Sequence, residues 1–246
     1  MEYLHSDSRS AVIEHRLSDE KFRNVCDQWK LFLHPFENSV EHILIKYNSA
    51  SPELFDQDHR KFQIDFEGNS VSYAKYKGGM NSEPMSRALG AGKLGKRVLD
   101  LSAGLGVDSV FLAQLGYHVT GIERNPFIYV SLKTALENLT ANYRTNLKFV
   151  FDQAQNFLRE TSEEFDVCYF DPMFPAKTKS ALPKQEMVFF KNLVGLDDDS
   201  SQVLQTVINS KKFKRCVVKR PLSAEPLLKP AGNIKGKIIR YDIYSN

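Results

Sequence analysis

A strand, a glycine turn, a helix and a second strand follow one another in residues 97–125, and this unit constrains the fold more than any other stretch. Residues 98–101 carry a short apolar run, which is typical of a buried strand in a parallel sheet. Gly104 and Gly106 have no Cβ, so the backbone can turn sharply there and approach a ligand closely. A helical apolar spacing and a second apolar strand at residues 119–122 complete the unit. This order of elements predicts an α/β protein.

The second strand of this unit ends at Glu123, about 20 residues after the glycine turn, where an acidic side chain can accept hydrogen bonds from two ribose hydroxyls. A dinucleotide site requires a third glycine where this chain has Ser109, and Asp108 would repel a diphosphate. An NAD-dependent oxidoreductase is therefore disfavoured. The D-x-x-x-G-x-G pattern that starts at Asp100 instead resembles the first motif of methyltransferases that use S-adenosylmethionine (SAM). A glycine turn in another α/β protein is the alternative at this point.

The composition is that of an ordinary globular chain, with 246 residues, 42% hydrophobic residues and a net charge of +3. No stretch reaches the about 18 consecutive apolar residues of a membrane helix, and no signal-peptide pattern opens the chain. We therefore expect a cytoplasmic protein without membrane contact. Cys26, Cys168 and Cys216 form no C-x-x-C pair, which favours reduced thiols. The histidines form no ligand cluster, so no metal is predicted.

The first part of the chain predicts a small α+β region. Residues 19–34 have the apolar spacing of an amphipathic helix, and residues 44–47 and 62–66 have the composition of short strands. A turn-like segment follows, after which residues 71–76 can return as a hairpin strand. We therefore predict an N-terminal region over residues 1–80 and a catalytic domain over residues 81–246.

A second informative stretch follows a predicted strand at residues 165–170 and reads Asp-Pro-Met-Phe-Pro over residues 171–175. Its two prolines restrict the backbone of a loop at the carboxyl edge of the sheet. Asp171 can accept a hydrogen bond from an exocyclic amine, the Pro172 carbonyl can accept the other N–H, and Phe174 can stack on a base. The pattern resembles the D-P-P-[YF] motif of methyltransferases that act on nucleobase amines, with methionine in place of the second proline. An Asp-Pro turn without a catalytic role is the alternative.

A fuller resemblance extends over roughly residues 62–244. The motifs that carry it are residues 103–106 (Ala-Gly-Leu-Gly), Asp108, residues 123–126 (Glu-Arg-Asn-Pro), 171–175, 179–182 (Lys-Ser-Ala-Leu), Lys184, 186–187 (Glu-Met), 193–195 (Leu-Val-Gly), 218–221 (Val-Lys-Arg-Pro) and 240–244 (Arg-Tyr-Asp-Ile-Tyr). On these motifs the chain resembles the small-subunit ribosomal RNA guanine-N2 methyltransferase J family. The resemblance implies a Rossmann-like class I methyltransferase with a mostly parallel seven-stranded sheet. It also implies SAM as donor and a guanine near the 3′ end of 16S rRNA as acceptor.

The resemblance also implies a set of cofactor-binding residues. The first motif of SAM-dependent methyltransferases contributes Asp100, Gly104 and Gly106, and the ribosomal RNA family adds Val107, Asp108, Glu123, Arg124, Gln153, Ala154 and Asp171. The family often has arginine where this chain has Val107, so a side-chain contact would be lost there while a backbone contact would survive. The family also has a glycine triplet where this chain has Gly78, Gly79 and Met80.

Basic residues are concentrated after the fourth and fifth predicted strands of the α/β unit. We expect them on loops at the carboxyl edge, where they would contact the phosphates of the small-subunit ribosomal RNA: Lys177, Lys179, Lys184, Lys219 and Arg220. A solvated charged surface is the alternative for these residues. For the whole chain, the alternatives are methylation of another amine, such as adenine N6 or a protein glutamine, and a non-catalytic RNA-binding module that keeps the fold.

Overall fold

The computed structural model describes residues 11–15, 43–47, 52–55, 61–67, 79–173 and 199–245. The strands are β1 (Ala11–His15), β2 (Ile43–Tyr47), β3 (Pro52–Phe55), β4 (Lys61–Phe62), β5 (Arg97–Asp100), β6 (His118–Glu123), β7 (Leu147–Phe151), β8 (Val167–Phe170), β9 (Arg215–Pro221), β10 (Gly232–Lys235) and β11 (Ile239–Ser245). The helices are α1 (Pro84–Ala88), α2 (Val107–Gln114), α3 (Pro126–Asn138), α4 (Ala154–Glu160) and α5 (Ser200–Ser210), and a 3₁₀ turn lies at Asn142–Asn146.

Seven strands form one large sheet in the order β10-β11-β9-β8-β5-β6-β7. The neighbours from β9 to β7 pair in parallel, whereas β11 pairs antiparallel with both β9 and β10. Strand β11 is therefore the reversed strand of this sheet, and it lies between two strands that precede it in the chain. The predicted α/β fold with a mostly parallel seven-stranded sheet is confirmed.

Helices cover both faces of the large sheet, because successive side chains of a strand point to opposite faces. On β5, Val98 packs in one core with Leu112 of α2, whereas Leu99 packs in a second core with Leu204 of α5. These side chains are fully buried, and each such burial stabilises the fold by about 1.5–3 kcal/mol. The chain crosses from β7 to β8 on the other side of β5, so a crevice opens at the carboxyl ends of β5 and β8.

The turn after β5 requires glycine for two reasons. Gly106 has a φ of +75°, in the left-handed region that other residues rarely adopt. A Cβ on Gly106 would also lie only 2.8 Å from carbon atoms of Leu132 and Phe66. The absence of a side chain therefore lets α2 begin directly against α3 and the segment that follows β4.

Strands β1 to β4 form a separate four-stranded sheet. The strand predicted at residues 44–47 is confirmed as β2, whereas the strand predicted at 62–66 is wrong beyond Phe62. The alternation of apolar residues there has another cause. Ile64 and Phe66 are buried in the core of the large sheet, and the Phe66 ring lies 6.1 Å from that of Phe149, measured between centroids.

Two predictions for the first 80 residues lie outside the described residues, namely the helix at 19–34 and the hairpin strand at 71–76. The division of the chain into residues 1–80 and 81–246 stays a prediction. Ile64 and Phe66 precede the proposed boundary and still pack on the core of the large sheet.

Candidate active site

A cavity of about 300 Å³ opens at the carboxyl edge of the large sheet, next to the crevice between β5 and β8. Its wall consists of the loops after β5, β6, β7 and β8, one residue of β9 and the start of α5. The lining residues are Leu101, Ser102, Ala103, Gly104, Leu105, Val107, Asp108, Ile122, Glu123, Arg124, Asp152, Gln153, Ala154, Gln155, Phe170, Asp171, Met173, Asp199, Val203 and Lys219. Open α/β sheets bind ligands at this position, and the volume is at the lower end of that of small-molecule sites.

Most residues predicted to bind the cofactor meet at this cavity. Eight of the ten line it: Gly104, Val107, Asp108, Glu123, Arg124, Gln153, Ala154 and Asp171. Gly106 lies behind the lining at the start of α2, where it shapes the turn. Asp100 also lies outside the lining. The structure thus brings together residues from four loops that are up to about 70 positions apart in the chain.

Asp100, the last residue of β5, stabilises the glycine loop, which is the turn over residues 101–106 between β5 and α2. Its Oδ1 accepts a hydrogen bond from the Ser102 N–H (3.1 Å), and its Oδ2 accepts one from the Ser109 hydroxyl (2.6 Å). Burial raises the pKa of Asp100 to about 7, although the hydrogen bonds from Ser109 and Ser102 oppose this rise. Both carboxylate oxygens are thus engaged by the loop and by α2, and the contact of Asp100 with the cofactor stays a prediction.

Asp100→Asn is expected to remove a pH dependence of stability. The folded-state pKa of about 7 exceeds the ordinary value of 3.8, so the unfolded chain loses this proton first as the pH rises. The wild type should therefore lose up to about 4 kcal/mol of unfolding free energy between about pH 4 and pH 7 through this group. Urea unfolding at several pH values, with both proteins in parallel, measures the difference. An identical pH dependence in the variant would contradict the assignment.

Glu123 connects the loops after β5 and β6. Its Oε2 accepts a hydrogen bond from the Gly104 N–H (2.9 Å), and its Oε1 accepts one from the Asn125 N–H (2.7 Å). The side chain is almost completely buried but lines the cavity. A carboxylate has about four acceptor positions, so Glu123 can also accept hydrogen bonds from a ligand. Its place at the end of β6 is the one that the sequence predicted.

A partly buried ion-pair network joins Asp108 and Asp171. The Lys219 Nζ lies 2.6 Å from Asp108 Oδ2 and 2.8 Å from Asp171 Oδ2. The Tyr169 hydroxyl donates a further hydrogen bond to the same Asp108 oxygen (2.6 Å), and the Asp171 N–H donates to the Ser102 hydroxyl oxygen (2.8 Å). Asp171 is therefore positioned by contacts with Lys219 of β9 and with Ser102 in the loop after β5.

Opposite the ion pairs of Lys219, the cavity wall contains a longer contact between Arg124 and Asp199. Arg124 Nη1 lies 3.4 Å from both carboxylate oxygens of Asp199, which directly precedes α5. Both side chains are partly exposed. Gln153 and Ala154 lie at the start of α4, where the Gln153 N–H donates to Asp152 Oδ1 (2.7 Å). The cavity thus has acidic groups on both sides.

The structure corrects the placement of two residues that the sequence assigned to RNA phosphates. Lys219 and Arg220 were predicted on a loop, but β9 continues to Pro221 because it pairs with β11 along its whole length. Arg220 is buried, and its Nη2 donates to the Glu225 carbonyl, so it is not available at the surface. Lys219 faces the cavity.

Several other predicted residues remain without a structural account. Phe174, Lys177, Lys179 and Lys184 lie outside the described residues. Pro172 is described and buried, but it does not line the cavity.

Among the residues of the site and its surroundings that sequence reasoning did not assign, four have side chains or positions of interest: Ser102, Tyr169, Met173 and Asp199. Ser102 lies between Asp100 and Gly104 of the first motif, and Met173 lies within the Asp-Pro-Met-Phe-Pro stretch, so both belong to loops that the sequence had singled out. Asp199 belongs to an acidic run that looks like a solvated surface. Tyr169 lies in an apolar strand and gives no local sign that its hydroxyl reaches Asp108.

In the part of the chain that the structure describes, no group of three or more His, Cys, Asp or Glu residues is arranged to hold a metal ion. No helix in that same part has the length and apolar composition needed to cross a membrane.

Comparisons with known proteins agree on the class of protein. A family model for SAM-dependent methyltransferases matches residues 24–246. A crystal structure of a SAM-dependent methyltransferase from Neisseria gonorrhoeae superposes with a TM-score of 0.71 at 24% identity, covering 96% of each chain, which shows the same fold.

Two curated relatives bear the name ribosomal RNA small subunit methyltransferase J. The protein from Bdellovibrio bacteriovorus is 45% identical over 192 residues, which cover 77% of this chain and 76% of the relative. The protein from Coxiella burnetii is 39% identical over 238 residues, which cover 93% of this chain and 92% of the relative. With the family model, the fold and these identities over most of its length, the chain belongs to the ribosomal RNA small subunit methyltransferase J family of SAM-dependent methyltransferases.

Proposed function

We propose that this chain methylates the exocyclic N2 of a guanine near the 3′ end of 16S rRNA in the small ribosomal subunit, with SAM as the donor. The observation that carries the proposal is the position of Asp171. This carboxylate lies at the carboxyl end of β8, in the wall of the same cavity as Glu123. An acceptor of amine hydrogen bonds and a ribose-binding carboxylate are thus combined in one small site.

The residues present fit SAM in charge and in polarity. Five carboxylates line the cavity against two cations, Arg124 and Lys219, although the whole chain carries a net charge of +3. Such a wall attracts a cationic sulfonium and repels a diphosphate. Apolar side chains, among them Leu101, Ile122 and Val203, supply the surface that a flat adenine ring requires.

Each cofactor contact in this proposal has a simple chemical basis. Glu123 would accept hydrogen bonds from the two ribose hydroxyls, as acidic residues do at this strand end. Gln153 and Ala154 would contact the adenine from the loop after β7. Val107 and Asp108 would contact the cofactor from the first turn of α2, where the loss of the arginine common in the family leaves only backbone contacts at Val107.

The proposed mechanism relies on position and electrostatics. When bound, SAM supplies an activated methyl group. The N2 lone pair forms a bond to the methyl carbon, and the electron pair of the C–S bond leaves with sulfur. Asp171 and the Pro172 carbonyl would each accept a hydrogen bond from one N–H of the amine. These bonds would align the nitrogen with the S–CH₃ axis and stabilise the positive charge that develops on it. The surplus proton can then pass to Asp171 or to water.

The acceptor base must be unpaired or flipped out to reach this site. Phe174 would stack on it, and Lys177, Lys179 and Lys184 would contact neighbouring phosphates. Arg220 is withdrawn from this set because it is buried, and Lys219 because it faces the cavity. A ribosomal RNA substrate also accounts for the cytoplasmic location expected from the sequence.

Transfer of radiolabel from SAM tests the proposal. The purified protein is incubated with 30S subunits from a strain that lacks the modification and, in parallel, with naked 16S rRNA; the RNA is then digested to nucleosides. Labelled N2-methylguanosine is the expected product, and the Asp171→Asn variant should form it about 100- to 1,000-fold more slowly. Label in N6-methyladenosine or in ribosomal protein would overturn the assignment of the acceptor. Measurable SAM binding without any label would favour a non-catalytic RNA-binding module.

A further inference from the structure

A lysine lies in the wall of a cavity that must accept a cation. The side chain of Lys219 is only 22% exposed, and its Nζ contacts Asp108 and Asp171. Burial alone would lower the pKa of Lys219, but the neighbouring Asp171 and Asp108 carboxylates raise the pKa well above its usual value. The group is therefore a permanent positive charge at physiological pH.

The fold explains why these three residues meet. Phe170 of β8 pairs with Val218 of β9 in the parallel ladder, so the next residues, Asp171 and Lys219, are also neighbours. Asp108 comes from the first turn of α2, in front of the same strands. Lys219 thus connects the loop that carries the proposed acceptor carboxylate with the helix that carries a cofactor residue.

A largely buried lysine next to buried valines is costly unless it is well paired, and an apolar side chain would fit such a strand with less desolvation. Val217 and Val218, its neighbours in β9, are fully buried. The pairing with two carboxylates therefore points to a task at the cavity and not to the packing of β9.

We propose that Lys219 is a positioning residue for methyl transfer, which holds Asp171 against Asp108 and limits the two carboxylates to one net negative charge. The positioning part of this inference rests on the proposed function, because it assumes that Asp171 contacts the acceptor amine. The charge part concerns the cofactor alone.

The charge balance matters because methyl transfer moves a positive charge. It lies on sulfur before the reaction and on the acceptor nitrogen afterwards, and the product S-adenosylhomocysteine is neutral at sulfur. Without Lys219, the two carboxylates would strongly stabilise the positively charged SAM before the reaction. Stabilisation of this ground state does not accelerate the chemical step. Lys219 reduces this attraction and leaves Asp171 in place.

Lys219→Met is the test, with Lys219→Gln beside it as a second neutral variant, and circular dichroism verifies that each folds. Calorimetry without RNA gives the dissociation constants of SAM and of S-adenosylhomocysteine. We expect the preference for SAM over S-adenosylhomocysteine to rise roughly tenfold. The rate of label transfer to RNA should fall about 100-fold, because Asp171 loses its support.

Two matched variants isolate the role of charge. Lys219→Arg keeps the positive charge, so the affinity ratio of the wild type should return and the transfer rate should partly recover. Tyr169→Phe removes a hydrogen bond from the same Asp108 oxygen without a change in charge, so its affinity ratio should equal that of the wild type.

Equal weakening of both ligands in the neutral variants would overturn the proposal, since a merely structural lysine would act in that way. Wild-type transfer rates in those variants would overturn it as well. An error in the proposed acceptor has a different signature. In that case the wild-type protein would not transfer label to guanine. The neutral variants would still show a higher preference for SAM over S-adenosylhomocysteine than the wild type.

Discussion

Asp171→Asn is expected to lower the rate of methyl transfer about 100- to 1,000-fold, the range found when a preorganised group that stabilises developing charge is removed. Asparagine has the same shape, so the contact of the backbone N–H with Ser102 should survive. Its amide cannot supply the negative charge that stabilises a positively charged nitrogen. Initial rates of label transfer from SAM to 30S subunits measure the effect.

Asp199→Asn is the matched control for this result. It also removes one negative charge from the cavity wall, but at a partly exposed contact with Arg124. Such pairs contribute only about 0.2–1 kcal/mol, so we expect less than about a fivefold change in rate. Similar losses in the two variants would indicate a general effect of cavity charge and would remove the catalytic assignment of Asp171. Full activity of Asp171→Asn would do the same.

Glu123→Ala is expected to have the largest effect on cofactor affinity. If Glu123 holds the two ribose hydroxyls, the loss of these charge-assisted hydrogen bonds should weaken S-adenosylhomocysteine binding about 100-fold or more. The Gly104 and Asn125 N–H groups also lose their acceptor, so the free energy of unfolding should fall by about 1–3 kcal/mol. Calorimetry and urea unfolding measure the two effects separately.

A ligand variant shows whether Glu123 contacts the ribose or only shapes the loop. A 2′-deoxy analogue of S-adenosylhomocysteine should bind the wild type much more weakly than the parent ligand. In Glu123→Ala the deoxy substitution should have little further effect, because the partner of the hydroxyl is already gone. The same loss in both proteins would mean that Glu123 supports the loop without touching the hydroxyl.

The glycine loop and its acidic partner could be predicted because they depend on local chemistry. Short apolar runs mark β5 and β6, and each run ends at the residues that form the cavity. Gly106 also has a purely local requirement, a positive φ. Glu123 needs only the end of its own strand to be placed correctly. The class of ligand and the part of the cavity wall that the loops after β5 and β6 form followed from these features.

The misplacement of Lys219 and Arg220 has a non-local cause. A Lys-Arg pair before a proline has the composition of a loop, and neither residue would be expected in a buried strand. Both residues lie in β9 because that strand pairs with β11, which follows later in the chain. Lys219 is compensated by Asp108 and Asp171, whereas Arg220 lies beside β11, where Arg240 pairs with Asp242. Contacts between residues that are far apart in the sequence are not visible in a local pattern. The placement of these two cations in β9 could therefore not be predicted.

The place of β11 in the large sheet has a consequence for synthesis of the protein. Strand β10 leaves the ribosome first, but its place is two strands away from β9, and β11 must come between them. Until β11 emerges, the backbone groups along the outer side of β9 have no partner and form an exposed edge that can pair with other chains. A nascent chain that ends near residue 236 would therefore expose an incomplete, aggregation-prone sheet. Protection by chaperones would be most needed until β11 has been synthesised.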